Sequence, residues 1–120
     1  MKNLIILITL LFSLSNIAYA ECQNANVYDD INCYEKELKM NKTQLNQTYQ
    51  KLYKSLDDEG KRVLENSQKS WLAYKNSHCD ELIAYFAYQS LGAGPRLITL
   101  GCNAELTKQR LVQLKELESE

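Results

Sequence analysis

Four cysteines, Cys22, Cys33, Cys79 and Cys102, constrain this chain more than any other feature, because all of them follow an apolar start that reads as an export signal. Lys2 supplies the positive end, residues 4–14 an almost unbroken apolar run, and Ala18-Tyr19-Ala20 the small residues that a signal peptidase reads. Cleavage is expected after Ala20, leaving a signal peptide of residues 1–20 and one domain over residues 21–120. A membrane anchor fits less well, since a span needs about 20 apolar residues and this run yields to Ser13, Ser15 and Asn16. Lipidation of Cys22 would require the cysteine directly after the cleaved bond, where Glu21 stands. The expected product is an exported protein with no membrane anchor after cleavage, in the periplasm of a Gram-negative bacterium or secreted to the medium.

An even number of cysteines in a short exported chain predicts two disulfides. Zinc is disfavoured because the gaps between successive cysteines are 10, 45 and 22 residues, too long for paired ligands. No metal and no cofactor are expected. Removing Lys2 with the leader takes the formal charge from −1 to −2. That balance excludes the basic footprint of a nucleic-acid-binding protein and the acidic excess of a disordered tail.

The expected mature segment holds only three Val, three Ile and four Thr, little material for a sheet. Asn26, followed by Asp29, predicts the capped start of a short helix through about Cys33. Leu38, Leu45, Tyr49, Leu52 and Leu56 then recur at helical spacing, opposite a solvated face rich in lysine. Asp57-Asp58-Glu59 supplies an N-cap and two carboxylates for the first turn of a second long helix. Its expected core stripe is Leu64, Gln68, Trp71, Lys75, His78, Leu82 and Tyr85 or Phe86, with Leu72, Cys79 and Ile83 on a flank. Gly92-Ala93-Gly94-Pro95 breaks the pattern. A third helix is expected near Cys102, with Leu106, Arg110, Leu114 and Leu117 inward. The predicted fold is all-α: a disulfide-stapled antiparallel three-helix bundle with a short N-terminal helix.

A hairpin turning near Leu56 places Cys33 and Cys79 each 23 residues from the turn, so that they meet at its open end. That favours a 33–79 pair and leaves 22–102. Closing the longer loop is worth about 4 kcal/mol in the chain-entropy model. A break after the short helix would instead rotate Cys33 toward Cys102, with Cys22 left for Cys79.

No catalytic constellation is visible, and the chain is not expected to be an enzyme. His78 and Cys79 are adjacent, so they point about 100° apart on a helix, and a disulfide would consume the thiol. Asp29-Asp30, Asp57-Asp58 and Asp80-Glu81 are surface neighbours with no partner that would shift a pKa for acid–base work. Two features carry more information. Asn46 in the first helix faces the expected position of Gln68 and Trp71 in the second, where an interhelical amide hydrogen bond would fix register. The connection from Gln89 to Gly101, with Gly92, Gly94, Pro95 and Arg96, is long for a helical link and is the candidate partner-binding loop. Seven tyrosines downstream of residue 20 add surface suited to protein contacts.

Taken in order, Cys22, Cys33-Tyr34, Leu45-Asn46-x-x-Tyr49, Gln68-x-x-Trp71-Leu72-x-Tyr74, Cys79, Gly92 with Pro95, Cys102, and Leu106-Thr107-x-x-Arg110 resemble the lysozyme-inhibitor LprI-like family. The resemblance spans almost the whole mature chain. It implies a small exported helical domain that binds lysozyme or a related peptidoglycan hydrolase and inhibits it by occupying the active-site cleft. In the family an Arg-Asp pair follows the Trp; here Lys75-Asn76 stands in its place, keeping one cation and losing the carboxylate. Arg96, beside Gly94-Pro95, is the expected cation for a cleft that carries two carboxylates. The alternative is a periplasmic immunity or adaptor protein that binds one cognate cell-wall toxin or envelope partner.

Overall fold

A computed structural model describes residues 22–23 and 26–118. The expected signal peptide and its cleavage after Ala20 lie outside the described residues. Four α-helices and one π-helical segment make up the fold: α1 (Val27–Ser55), α2 (Asp58–Lys75), the π segment (Asn76–Ile83), α3 (Ala84–Ala87) and α4 (Gly94–Glu118). The π segment joins α2 to α3 without a break, so three helical rods form an up-down-up bundle. No strand occurs among the described residues.

Both expected caps are present. The Asn26 side chain accepts from the Tyr28 amide at 2.9 Å, and that of Asp57 from the Gly60 amide at 2.8 Å. Each satisfies one of the amides a helix start leaves without an intrahelical partner. The short N-terminal helix, however, does not end near Cys33. It continues as α1 to Ser55, because no Gly or Pro interrupts residues 27–55.

The core joins Leu45 and Leu52 of α1, Leu64 of α2, and Leu111 and Leu114 of α4, with Tyr49, Tyr53, Leu56 and Trp71 packed around them. α1 and α4 run parallel and in close contact, whereas α2 stands further from α1. The close pair is permitted by small buried residues on α4: Ala104 and Thr107 are almost fully enclosed, and Gly101 lies against the Tyr34 ring. Helix separation follows the size of the side chains at the contact. The inward stripe of α4 is therefore Ala104, Thr107, Leu111 and Leu114. Of the expected stripe, Leu114 is buried, Leu106 and Arg110 are half-buried, and Leu117 is exposed. Counting large apolar residues misplaced this face by about one position per turn.

A second correction concerns the rod from Asp58 to Ala87. Its buried positions are Leu64, Lys75, Cys79 and Ala87, while Leu72, Leu82, Tyr85 and Phe86 are exposed. The π segment explains the change. Its i→i+5 hydrogen bonds make a wider turn than the α-helix, so a stripe that reaches Lys75 with α-helical spacing continues in steps of four to Cys79, Ile83 and Ala87. Extrapolating the α-helical period predicts Leu82 and Tyr85 or Phe86 in the core, and the structure turns them outward.

The cysteines pair as Cys22–Cys33 and Cys79–Cys102, with Cα separations of 5.4 and 5.6 Å. Neither expected pairing, 33–79 with 22–102 or 33–102 with 22–79, is formed. The reason is which helices meet. Cys79 faces α4 rather than α1, and Cys102 lies opposite it. Cys22, in the turn before α1, folds back onto Cys33 of the first turns. No cysteine is free among the described residues.

The connection before α4 is shorter than expected. α4 begins at Gly94, with Pro95 in its first turn, where the missing proline N–H costs no intrahelical bond. Residues 88–93 alone form the link. Gly92 adopts φ +63°, a conformation that favours glycine, and Gly94 packs so closely on Ser90 that a Cβ would lie 3.0 Å from the serine Cβ.

Candidate functional site

Two regions concentrate the residues singled out above. One is the end of the molecule formed by the π segment, α3 and the link. The other is the cleft between α1 and α2.

At the end of the molecule the π segment directs Cys79 and Ala87 toward α4 and thereby exposes the opposite face. Tyr85 is 71% exposed, Phe86 61%, Tyr88 83% and Leu91 94%. The Tyr85 and Phe86 rings meet edge to face with centroids 5.4 Å apart, the arrangement favoured by ring quadrupoles. Between Lys75 and Arg96 the chain carries Asp80 and Glu81 and no lysine or arginine. The surface is therefore aromatic and mildly acidic. Gly92 lies in the link, while Gly94, Pro95 and Arg96 belong to the first turn of α4. The Arg96 guanidinium donates to the Glu35 carboxylate of α1, an ion pair across the bundle with both partners well exposed.

The second region begins at Lys75, which is 7% exposed. Its ammonium donates to Asn76 Oδ1 at 3.1 Å and to Asn103 Oδ1 of α4 at 2.8 Å. Asn103 in turn donates to Asp80 Oδ1 at 2.8 Å and to the Thr99 carbonyl. Lys75-Asn76 thus forms one polar network with Asn103 and Asp80, beside the Cys79–Cys102 bond. Burial is the main reason the Lys75 pKa lies below the ordinary lysine value; nearby Asp80 opposes that effect and the Lys42 ammonium adds to it.

Arg110 is braced elsewhere. Its Nε donates to Gln68 Oε1 at 3.0 Å and one terminal nitrogen to Ser67 Oγ at 2.9 Å. Gln68 therefore bonds to α4 rather than to Asn46, which is exposed, and the expected Asn46–Gln68 register bond is not made. Thr107 is fully enclosed, its hydroxyl donating to the Asn103 carbonyl at 2.7 Å. Leu45 is part of the core, and Tyr49 and Trp71 pack against it. His78 stacks on Tyr74 with centroids 5.4 Å apart, and its neighbour Cys79 is disulfide-bonded. Lys75 lies in the core stripe as expected, but its bonds to Asn76 and Asn103 were missed in the sequence, as was the exposed aromatic end. A π turn leaves no compositional mark, and the Asn103 partner depends on the rotation of α4.

The described residues thus define an all-helical, two-disulfide module with an exposed aromatic end and a polar network under one staple. The chain belongs to the lysozyme inhibitor LprI family, whose model matches residues 22–114. It is also 27% identical over 111 positions, 81% of this chain and 78% of the relative, to an uncharacterized protein of Rhizobium meliloti (strain 1021). No solved structure matches the chain. No helix among the described residues is long and apolar enough to cross a membrane.

Proposed function

We propose that this protein is a non-enzymatic inhibitor, exported to the periplasm or secreted, that blocks lysozyme or a related peptidoglycan hydrolase by inserting the aromatic end of its bundle into the active-site cleft. The observation that carries this reading is the cluster of Tyr85, Phe86, Tyr88 and Leu91, exposed together on a disulfide-fixed support. Exposed aromatic groups on a rigid element are characteristic anchors of protein interfaces, and they lose little entropy when the support is preorganised. Asp80 and Glu81 beside the anchors favour a basic partner and raise the association rate. Gly92 and Gly94 shape the link, and Pro95 starts the helix that presents Arg96 at the rim. There the guanidinium can exchange Glu35 for the carboxylates that flank a scissile glycosidic bond.

The test is inhibition of a panel of lysozymes and peptidoglycan hydrolases by the oxidised protein at micromolar concentration. Tyr88→Ala with Leu91→Ala should weaken inhibition by about 100-fold, as expected for two interface anchors. Arg96→Ala should weaken it by about tenfold. Absence of inhibition across the panel, or full inhibition by the double variant, rejects the reading.

A further inference from the structure

The wider spacing of α2 from α1 leaves a cleft of about 400 Å³ between them, which reaches the core at Leu45 and at Thr107 of α4. Lys42, Asn46, Gln50, Gln68, Trp71 and Lys75 contribute its chemistry. None of the residues lining it is acidic. Lys75 meets only amide oxygens through the two hydrogen bonds described, so one of its three N–H donors is uncommitted. The Lys42 ammonium is near enough to disfavour the charge on Lys75. Two like charges thus line one concave space whose walls carry no carboxylate. Asp80, which accepts from Asn103 outside the cleft, offsets part of the cost of the Lys75 charge, and an anion entering the cleft would offset more.

The remaining walls define what else the ligand carries. Trp71 offers an aromatic surface, and Asn46, Gln50 and Gln68 offer amides that both donate and accept. Gln68 uses its oxygen for Arg110 and keeps its NH2 group. All the lining residues lie on helices whose backbone groups are already paired, so the cleft offers no edge to an extended peptide. Its volume falls in the range of small-ligand sites. We infer that the α1–α2 cleft binds a carboxylate-bearing saccharide, with Lys42 and Lys75 holding the carboxylate, Trp71 the ring face, and the three amides the hydroxyl and acetamido groups. This site is separate from the aromatic end and does not depend on hydrolase inhibition.

Trp71 is the single tryptophan of the chain, so its fluorescence reports the cleft directly. The oxidised protein is titrated with N-acetylmuramic acid, glucuronic acid and the neutral N-acetylglucosamine, with calorimetry in parallel. The expected result is a saturable change of Trp71 emission with at least one acidic sugar, about tenfold tighter than with the neutral one, from one charge-assisted contact. Whichever acid binds more tightly identifies the source, cell-wall muramate or a uronate. Lys42 is exposed, so Lys42→Met should fold normally and remove the preference for acid; Lys75→Met should do the same where it folds. No saturable response to either acid, equal affinity for the neutral sugar, or an unchanged preference in Lys42→Met overturns the assignment.

Discussion

Arg110 holds α2 to α4 through Gln68 and Ser67, and the part-buried bond to Gln68 matters most, because truncation leaves its oxygen without a donor. Arg110→Ala should lower unfolding free energy by about 1–2 kcal/mol, measured by urea titration. Lys75 makes a different kind of contribution. Its folded pKa is depressed, so between that value and the ordinary lysine value, about 10.4, the unfolded chain binds the extra proton. Stability attributable to Lys75 therefore rises with pH across that interval, and below it the cost of burying the cation is present in full. Tyr49 and Tyr53 act in the opposite sense. The Tyr49 phenol is raised mainly by burial and the Tyr53 phenol mainly by a hydrogen bond with Glu65. The diagnostic is thus the difference between the natural chain and Lys75→Met: denaturation midpoints measured from neutral to alkaline pH should converge as pH rises. At this scale Asn26 and Asp57 were legible as caps because they depend on local spacing alone. The partners of Gln68 and Lys75 were not, since each is fixed by a residue of α4 whose rotation had to be known first.

Among the elements, helix content and the turn at Leu56 and Asp57 could be read directly, for an acidic cap after a long amphipathic run has few other meanings. What could not be read was the rotation of each face. The α4 seam is built from Ala104 and Thr107, which carry little hydrophobic signal, and the π segment changes the period after Lys75. Both misplacements propagate to the cysteines, since a pairing inferred from hairpin distance alone takes no account of which way Cys79 points. Each disulfide closes a short loop, with sequence separations of 11 and 23, worth about 3 kcal/mol apiece in the chain-entropy model. Proteolysis without reductant followed by mass spectrometry should recover peptides joined 22–33 and 79–102 and no others. Replacing Cys79 and Cys102 together by Ala should lower stability by about 3 kcal/mol. The same change should loosen the exposed face of α3, seen as faster amide exchange over residues 76–88.

For the whole molecule, the bundle and its family follow from a few cysteines and motif residues, while the exposure of the aromatic end depends on a helical irregularity. The covalent wiring has a further consequence. One disulfide lies within the N-terminal end of the chain and the other joins the π segment to α4, so no covalent bond ties α1 to the rest except the two-residue turn between Ser55 and Asp58. Yet α1 makes its main contacts with α4, the element farthest from it along the chain. If the turn straightens, α1 can leave its own α4 and occupy the same seam in a second copy, preserving every buried contact. Short hinges and reusable contacts are the conditions for such exchange. Refolding at high concentration without reductant should therefore yield a dimer that is separable by size-exclusion chromatography, has native disulfides, and returns to monomer only on unfolding. Lengthening the turn with glycines should abolish it, because each α1 could then close onto its own chain without strain.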